Sequence, residues 1–217
     1  MTFFVKTLAE AHDLAVKRVI LDGIHITTEN NEETIELPYS FQVIISHPLI
    51  YPQTSPGFTK YGPAFLTAYT KKVMDMTPNK NDGSDASYTY GNRLREYTTI
   101  DQIETTITKL NKSPRTRRAI MHTWRVAQDI YSPEPPCMQT VQLTIRDGKL
   151  NMTVYFRSND MLMAYGANLY ALSQLLANMA IQTNTLPGHL ETISCCPHIY
   201  IERDKDELNE MRRYINV

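Results

Sequence analysis

Three cysteines, one tryptophan and eight glycines are few for a chain of 217 residues, and the scarcities exclude several classes of protein. Three cysteines cannot build the disulfide framework of a small secreted scaffold, and the simple setting is a reducing cytoplasm. No stretch reaches the roughly 18 to 20 apolar residues of a membrane span, and the N-terminal MTFFVKTLAEAHD lacks a signal-peptide pattern. Charge of one sign is absent as well: 22 basic and 23 acidic residues leave a net −1. Nothing global therefore attracts the chain to DNA, RNA or an anionic membrane, and any anion must be bound by a local cluster. There is no internal repeat, no low-complexity tract and no convincing boundary, so residues 1–217 read as one domain able to bury a core unaided.

Apolar spacing predicts a helix over 3–22, two strands in IHITTENNEETIELP joined at Glu29-Asn30-Asn31, and a third strand in FQVIISHP ended by Pro48. An ordered loop (48–63), a short helix (64–75) and the loop-like NKNDGSDAS (79–87) follow. Residues 99–112 read as a capped amphipathic helix, with Thr99 or Asp101 as the cap. Segments 117–124, 138–146 and 149–157 read as strands, the last two joined by the hairpin signal Asp147-Gly148. A long buried helix (161–182), a strand (190–202) and a charged helical tail complete an α+β pattern with a mixed sheet.

Cys137 ends the proline-stiffened SPEPPC, and twenty residues on the chain reads Arg157-Ser158-Asn159-Asp160. A reactive thiol needs an electropositive setting, and an arginine fork beside a hydroxyl makes a phosphate clamp, so one constellation can serve both needs. The alternative is an inert core thiol, because cysteine is among the most buried residue types. Cys195 and Cys196 read as core packing; with Pro197 and His198 they have the wrong spacing for zinc. Arg115, Arg117 and Arg118 form a basic cluster, for which a solvated loop is the plain alternative. Asn168 lies in an apolar helix, where its amide either complements a cyclic imide or caps the helix after Gly166. His198 and Tyr200 share a strand face by alternation.

In order along the chain, YGNRLR, TRRAIMHTW, PPC, RDGKL, VYFRSND, GANLYALSQLL and PHIY resemble the thymidylate synthase family, most of all its short archaeal-type members. The resemblance runs from about Tyr88 to Tyr200 and leaves residues 1–60 unmatched. It implies the family's fold, with a homodimer formed through the sheet, and reductive methylation of dUMP through a Cys137 adduct at pyrimidine carbon 6. Tyr90 would assist removal of the carbon-5 proton. Arg157 and Ser158 match the phosphate-binding pair, while Arg117 and Arg118 match arginines donated to the partner's phosphate. Asn168 matches the amide that reads uracil rather than cytosine, His198 and Tyr200 the pair on the sugar hydroxyl, and Asp160 the pterin contact. The implied co-substrate is methylene-tetrahydrofolate or a modified tetrahydropterin, with no metal and no DNA partner.

The chain also departs from the family. No glutamate occurs between Glu36 and Glu96, where the family's catalytic glutamate belongs, and the only tryptophan is Trp124 rather than one near the folate. Phe156 stands where glutamine is usual, and only 17 residues follow Tyr200. Tyr61 or Tyr69 are the candidates to replace the missing groups. A more open site would admit water and favour a hydroxymethylase acting on dUMP or dCMP. A non-catalytic nucleotide-binding paralogue is the alternative from another class, opposed by the retained Cys137 and Tyr90.

Overall fold

The computed structural model describes residues 2–76 and 88–217; the loop expected at 79–87 lies outside the described residues. Strand β1 (Thr2–Val5) leads into helix α1 (Leu8–Asp22), followed by strands β2 (Ile24–Thr27), β3 (Glu33–Glu36) and β4 (Phe41–Ile45). Helices α2 (Pro63–Met74), α3 (Tyr90–Arg95) and α4 (Gln102–Lys112) come next, then β5 (Ala119–His122) and the one-turn α5 (Val126–Asp129). The chain closes with β6 (Met138–Arg146), β7 (Lys149–Asp160), α6 (Tyr165–Gln182), β8 (Leu186–Tyr200) and α7 (Lys205–Ile215).

The strands form a mixed sheet in the order β1-β4-β8-β7-β6-β5, with β3 also on β8 and β2 on β3. The β1–β4 and β7–β8 pairs are parallel and the remainder antiparallel. The β6–β7 hairpin turns at Asp147 (φ 49°) and Gly148 (φ 72°), both left-handed, as the Asp-Gly signal requires. Helices α1 and α6 pack on the sheet, and α2 packs on α6.

Alternation along β7 explains the layering. Leu150, Met152, Val154 and Phe156 are fully buried, each stabilising the fold by about 1.5–3 kcal/mol relative to exposure. Asn151, Thr153 and Tyr155 lie on the other face, half-buried. That face carries a polar chain across four strands. The Thr2 hydroxyl donates to Gln42 (2.8 Å), the Gln42 amide donates to Glu191 (2.6 Å), and the Thr153 hydroxyl donates to the same carboxylate (2.8 Å). Helix α6 is buried over most of its circumference, as its apolar composition predicts.

Three expectations require correction. The helix predicted over 3–22 is a strand followed by a helix, because Phe3 stacks on Phe41 across the parallel β1–β4 pair (5.2 Å) and Thr7 caps α1 by accepting from the Glu10 amide. The strand predicted over 117–124 is only β5, so Arg117 and Arg118 precede it in an exposed turn. Cys195 and Cys196 do not pack in the core; both are exposed. They fall where β8 changes partner: its pairing with β4 ends at Ser194 and its pairing with β3 begins at His198. No neighbouring strand covers that side of the step.

Candidate active site

The site is built on the C-terminal end of β7 and the start of β6. Pro135 and Pro136 have no N–H to pair, so the chain enters β6 as a stiff loop with free carbonyls. Arg157, across the sheet on β7, takes both: Nε donates to Pro136 O (3.1 Å) and Nη2 to Pro135 O (2.6 Å). Its backbone amide donates to the Cys137 carbonyl (2.9 Å), and Nη2 lies 3.9 Å from Cys137 Sγ. Burial pushes the Cys137 thiol above its ordinary value, the Arg157 guanidinium pulls it down, and Asp160 and Glu134 push it up again. Burial prevails, so the resting group is the thiol. The expected electropositive setting is therefore present in one arginine only.

Three tyrosines surround the thiol. Tyr90, in the first turn of α3, accepts through its hydroxyl from the Met138 amide (3.2 Å). Tyr88 lies beside Tyr90, the two rings 5.8 Å apart and tilted by 55°. Tyr69, on α2, donates to Asn168 Oδ1 (2.6 Å). Burial pushes all three phenols up, Tyr88 to about 12, which keeps them protonated. Asn168 is buried in the first turn of α6 and does not cap it; Ala164 holds the cap position.

Parallel pairing of β7 with β8 sets Ser158 opposite Cys196 and Asp160 opposite His198. His198 Nδ1 is 3.1 Å from the Cys196 carbonyl and 3.4 Å from Ser158 Oγ. A carbonyl only accepts, so Nδ1 carries the proton and Nε2 is left as an acceptor. Tyr200 meets His198 edge-on (5.1 Å), and the Arg203 guanidinium lies 3.8 Å over the Tyr200 ring. Arg203 donates to Asp160, whose other oxygen accepts from the Leu162 and Met163 amides (3.1 and 2.9 Å). The Asp160 carboxylate is thus held on both sides.

The structure brings together Cys137, Tyr90 and Arg157 in one group, and Ser158, Asp160, His198 and Tyr200 in an adjoining one. Arg117 and Arg118 join neither; they are exposed before edge strand β5, where Lys109 donates to the Arg118 carbonyl (2.9 Å). Sequence reasoning missed Tyr88, Arg203 and the buried pair Arg93–Asp129, which ties α3 to α5 through two hydrogen bonds of 2.7 and 3.0 Å. Only the charged YGNRLR, which forms α3, could have signalled Arg93. Among the described residues no group of three or more His, Cys, Asp or Glu gathers as for a metal, and no helix is long and apolar enough to cross a membrane.

A cysteine at the entry to β6, an arginine bridging its loop and a buried amide on α6 are thus gathered at one end of the sheet. The family model for thymidylate synthase matches residues 63–216. The chain is 36% identical over 212 residues to the "Putative thymidylate synthase" of Methanosarcina barkeri, covering 97% of this chain and 94% of that protein. It is 32% identical to the protein of the same name from Methanocaldococcus jannaschii, over 94% of this chain and 92% of the other. Among solved structures, thymidylate synthase from T4 phage superposes with a TM-score of 0.74 at 22% identity, over 94% of this chain and 80% of that one, a likeness of fold. The chain belongs to the thymidylate synthase family. The likeness to the archaeal relatives extends through residues 1–60, which the motifs alone left unmatched.

Proposed function

We propose that this chain acts as a single catalytic unit that reductively methylates dUMP. The observation that carries the reading is the Arg157 guanidinium, which both fixes the PPC loop and lies 3.9 Å from the Cys137 sulfur. A phosphate group bound by Arg157 and the Ser158 hydroxyl brings the pyrimidine to the thiol. Arg117 and Arg118 of the partner subunit complete the phosphate site in a homodimer formed through the sheet. His198 and Tyr200 hold the sugar hydroxyl, and the Asn168 amide faces the uracil imide.

The Cys137 thiol gives its proton to water and adds as the thiolate, beside the Arg157 guanidinium, to carbon 6; the displaced electron pair becomes an enolate at carbon 4, and carbon 5 turns nucleophilic. Carbon 5 then bonds to the one-carbon unit of a methylene-bearing reduced folate or related tetrahydropterin, a substrate consumed in each turnover, with Asp160 on the pterin side. Tyr90 assists loss of the carbon-5 proton through water. The carbon–nitrogen bond to the carrier then breaks, the reduced carrier passes a hydride to the exocyclic methylene and leaves oxidised as the dihydropterin, and Cys137 is expelled from carbon 6. We place the reaction in the cytoplasm, where Cys137 stays reduced.

Mass spectrometry of the nucleotide product after incubation with dUMP and methylene-tetrahydrofolate tests this. A methyl product is expected. A hydroxymethyl product moves the chain to the hydroxymethylases, a reading favoured by the absence of any glutamate between Glu36 and Glu96. Unchanged dUMP, with a modified tetrahydropterin failing too, leaves a nucleotide-binding paralogue.

A further inference from the structure

Asn168 is held from one side only. Its Oδ1 accepts the Tyr69 hydroxyl at 2.6 Å, and no protein partner meets Nδ2 among the described residues. Tyr69 is itself held in place: Tyr61, just before α2, and Phe65 and Tyr69 on it stack in sequence with centroids 5.8 and 5.9 Å apart and planes within 6° and 20° of parallel. The Tyr69 side chain is half-buried, and burial pushes its phenol up, so it stays protonated. Asn168 Oδ1 is its one hydrogen-bond partner among the described residues.

A primary amide can present either end to a ligand, and its bare side chain does not decide which. The two ends suit different bases. A uracil ring offers a carbonyl at carbon 4 and an N–H at position 3, and so needs an amide that turns its NH2 to the carbonyl and its oxygen to the ring. A cytosine ring offers an amino group and a bare nitrogen, and needs the amide reversed. Reversal here would set the Asn168 NH2 against the Tyr69 hydroxyl. The phenolic proton would then need another acceptor, and a buried donor without one is costly.

Resting on the proposed nucleotide chemistry, we infer that Tyr69 is a positioning residue that locks the Asn168 amide in the uracil-reading orientation and thereby sets base specificity. The locked amide keeps the second lone pair of Oδ1 for the ring N–H and directs Nδ2 to the carbonyl. Tyr69 touches neither reacting atom; it acts through Asn168.

The test is calorimetric binding of dUMP and dCMP to the full chain, as parent and as Tyr69→Phe, with folding checked by thermal melting. Phenylalanine keeps the ring stack and deletes the donor. The parent prefers dUMP, and the variant loses that preference by about tenfold or more, the scale of one buried hydrogen bond, through weaker dUMP and equal or tighter dCMP binding. In an Asn168→Ala background the same substitution leaves the ratio unmoved. Equal weakening of both nucleotides, an unchanged ratio, or a ratio that still shifts without Asn168 overturns the inference while dUMP binding by the parent leaves the wider reading standing. A parent that binds no dUMP defeats the wider reading itself. If Tyr69→Phe does not fold, 3,5-difluorotyrosine at position 69, a stronger donor on the same ring, sharpens the dUMP preference; an unchanged preference overturns the assignment.

Discussion

The Arg157 guanidinium donates to the carbonyls of Pro135 and Pro136 and lies 3.9 Å from the Cys137 sulfur, so one side chain both shapes the loop and polarises the thiol. Burial holds the thiol above its ordinary value and Arg157 is the chief influence lowering it. Arg157→Ala removes that influence. The pH midpoint for iodoacetamide alkylation of Cys137 in the nucleotide-free chain moves upward, and alkylation at neutral pH slows about tenfold, one pKa unit being a factor of ten in thiolate. A faster rate would mean that the loop opens and that access, not charge, governs the thiol.

Much of this site was legible before the structure because its residues sit on strands, where a period of two fixes faces. His198 and Tyr200 were read as sharing a strand face by alternation, and their rings do meet (5.1 Å), whereas the parallel β7–β8 register that sets Asp160 opposite His198 was not foreseen. The hairpin at Asp147-Gly148 was a local signal read correctly, and of the two cap candidates, Thr99 and Asp101, it is Asp101 that accepts from the Glu104 amide (3.0 Å). Non-local pairings were not legible. Phe3 and Phe4 fit a helical period as well as a strand, and only the partner β4, some forty residues away, decides between them. Cys195 and Cys196 alternate as core residues until β8 changes partner at that step. Helices α3 and α5, of six and four residues, are too short for any periodicity to declare.

The buried Arg93–Asp129 pair yields a stability prediction. The side chains are 9% and 2% exposed, and Arg93 also donates to the Thr123 carbonyl (3.4 Å). Arg93→Ala leaves a buried carboxylate without its partner and costs about 3–5 kcal/mol in chemical denaturation. Arg93→Met with Asp129→Leu removes both charges and costs less than either single truncation. A double variant as unstable as the sum of the singles would show that packing, not charge pairing, holds α3 to α5.

Acid should weaken the fold through His12. It is fully buried, its Nε2–H donates to the Leu162 carbonyl (3.2 Å), and Nδ1 has no partner among the described residues. The rings of Phe58 and Tyr61 pack around it, and burial pushes its pKa from 6.5 down to about 4. Between those values the unfolded chain binds a proton that the folded chain does not. Stability from this group is therefore whole above pH 6.5 and falls as pH drops toward 4, by roughly 3 kcal/mol in all. Urea denaturation of the parent and of His12→Asn at intervals from pH 7 to 4 isolates it: the parent carries the extra slope and the variant does not. Parallel slopes would place the acid sensitivity elsewhere.

Gly91, the second residue of the Tyr90-Gly91 pair, exists for the approach of two helices rather than for a turn. A Cβ there would lie 2.0 Å from the carbonyl oxygen of Asp75, at the end of α2, and that neighbour is backbone, which cannot swing away. Gly91→Ala must therefore push α3 from α2. The displacement costs about 1–3 kcal/mol, the range for overpacking. It also parts two groups that reach the site from different helices, Tyr90 on α3 and Tyr69 on α2. A misplacement near 1 Å is enough to lower turnover about a hundredfold. Turnover should thus fall more than the stability loss explains, with nucleotide binding through Arg157 and Ser158 on β7 little changed, because neither rests on that contact. Steady-state kinetics beside nucleotide titration separates the cases: turnover lost at constant affinity ties Tyr90 placement to the α2–α3 contact, and turnover kept despite a lower melting temperature shows that the site tolerates the shift.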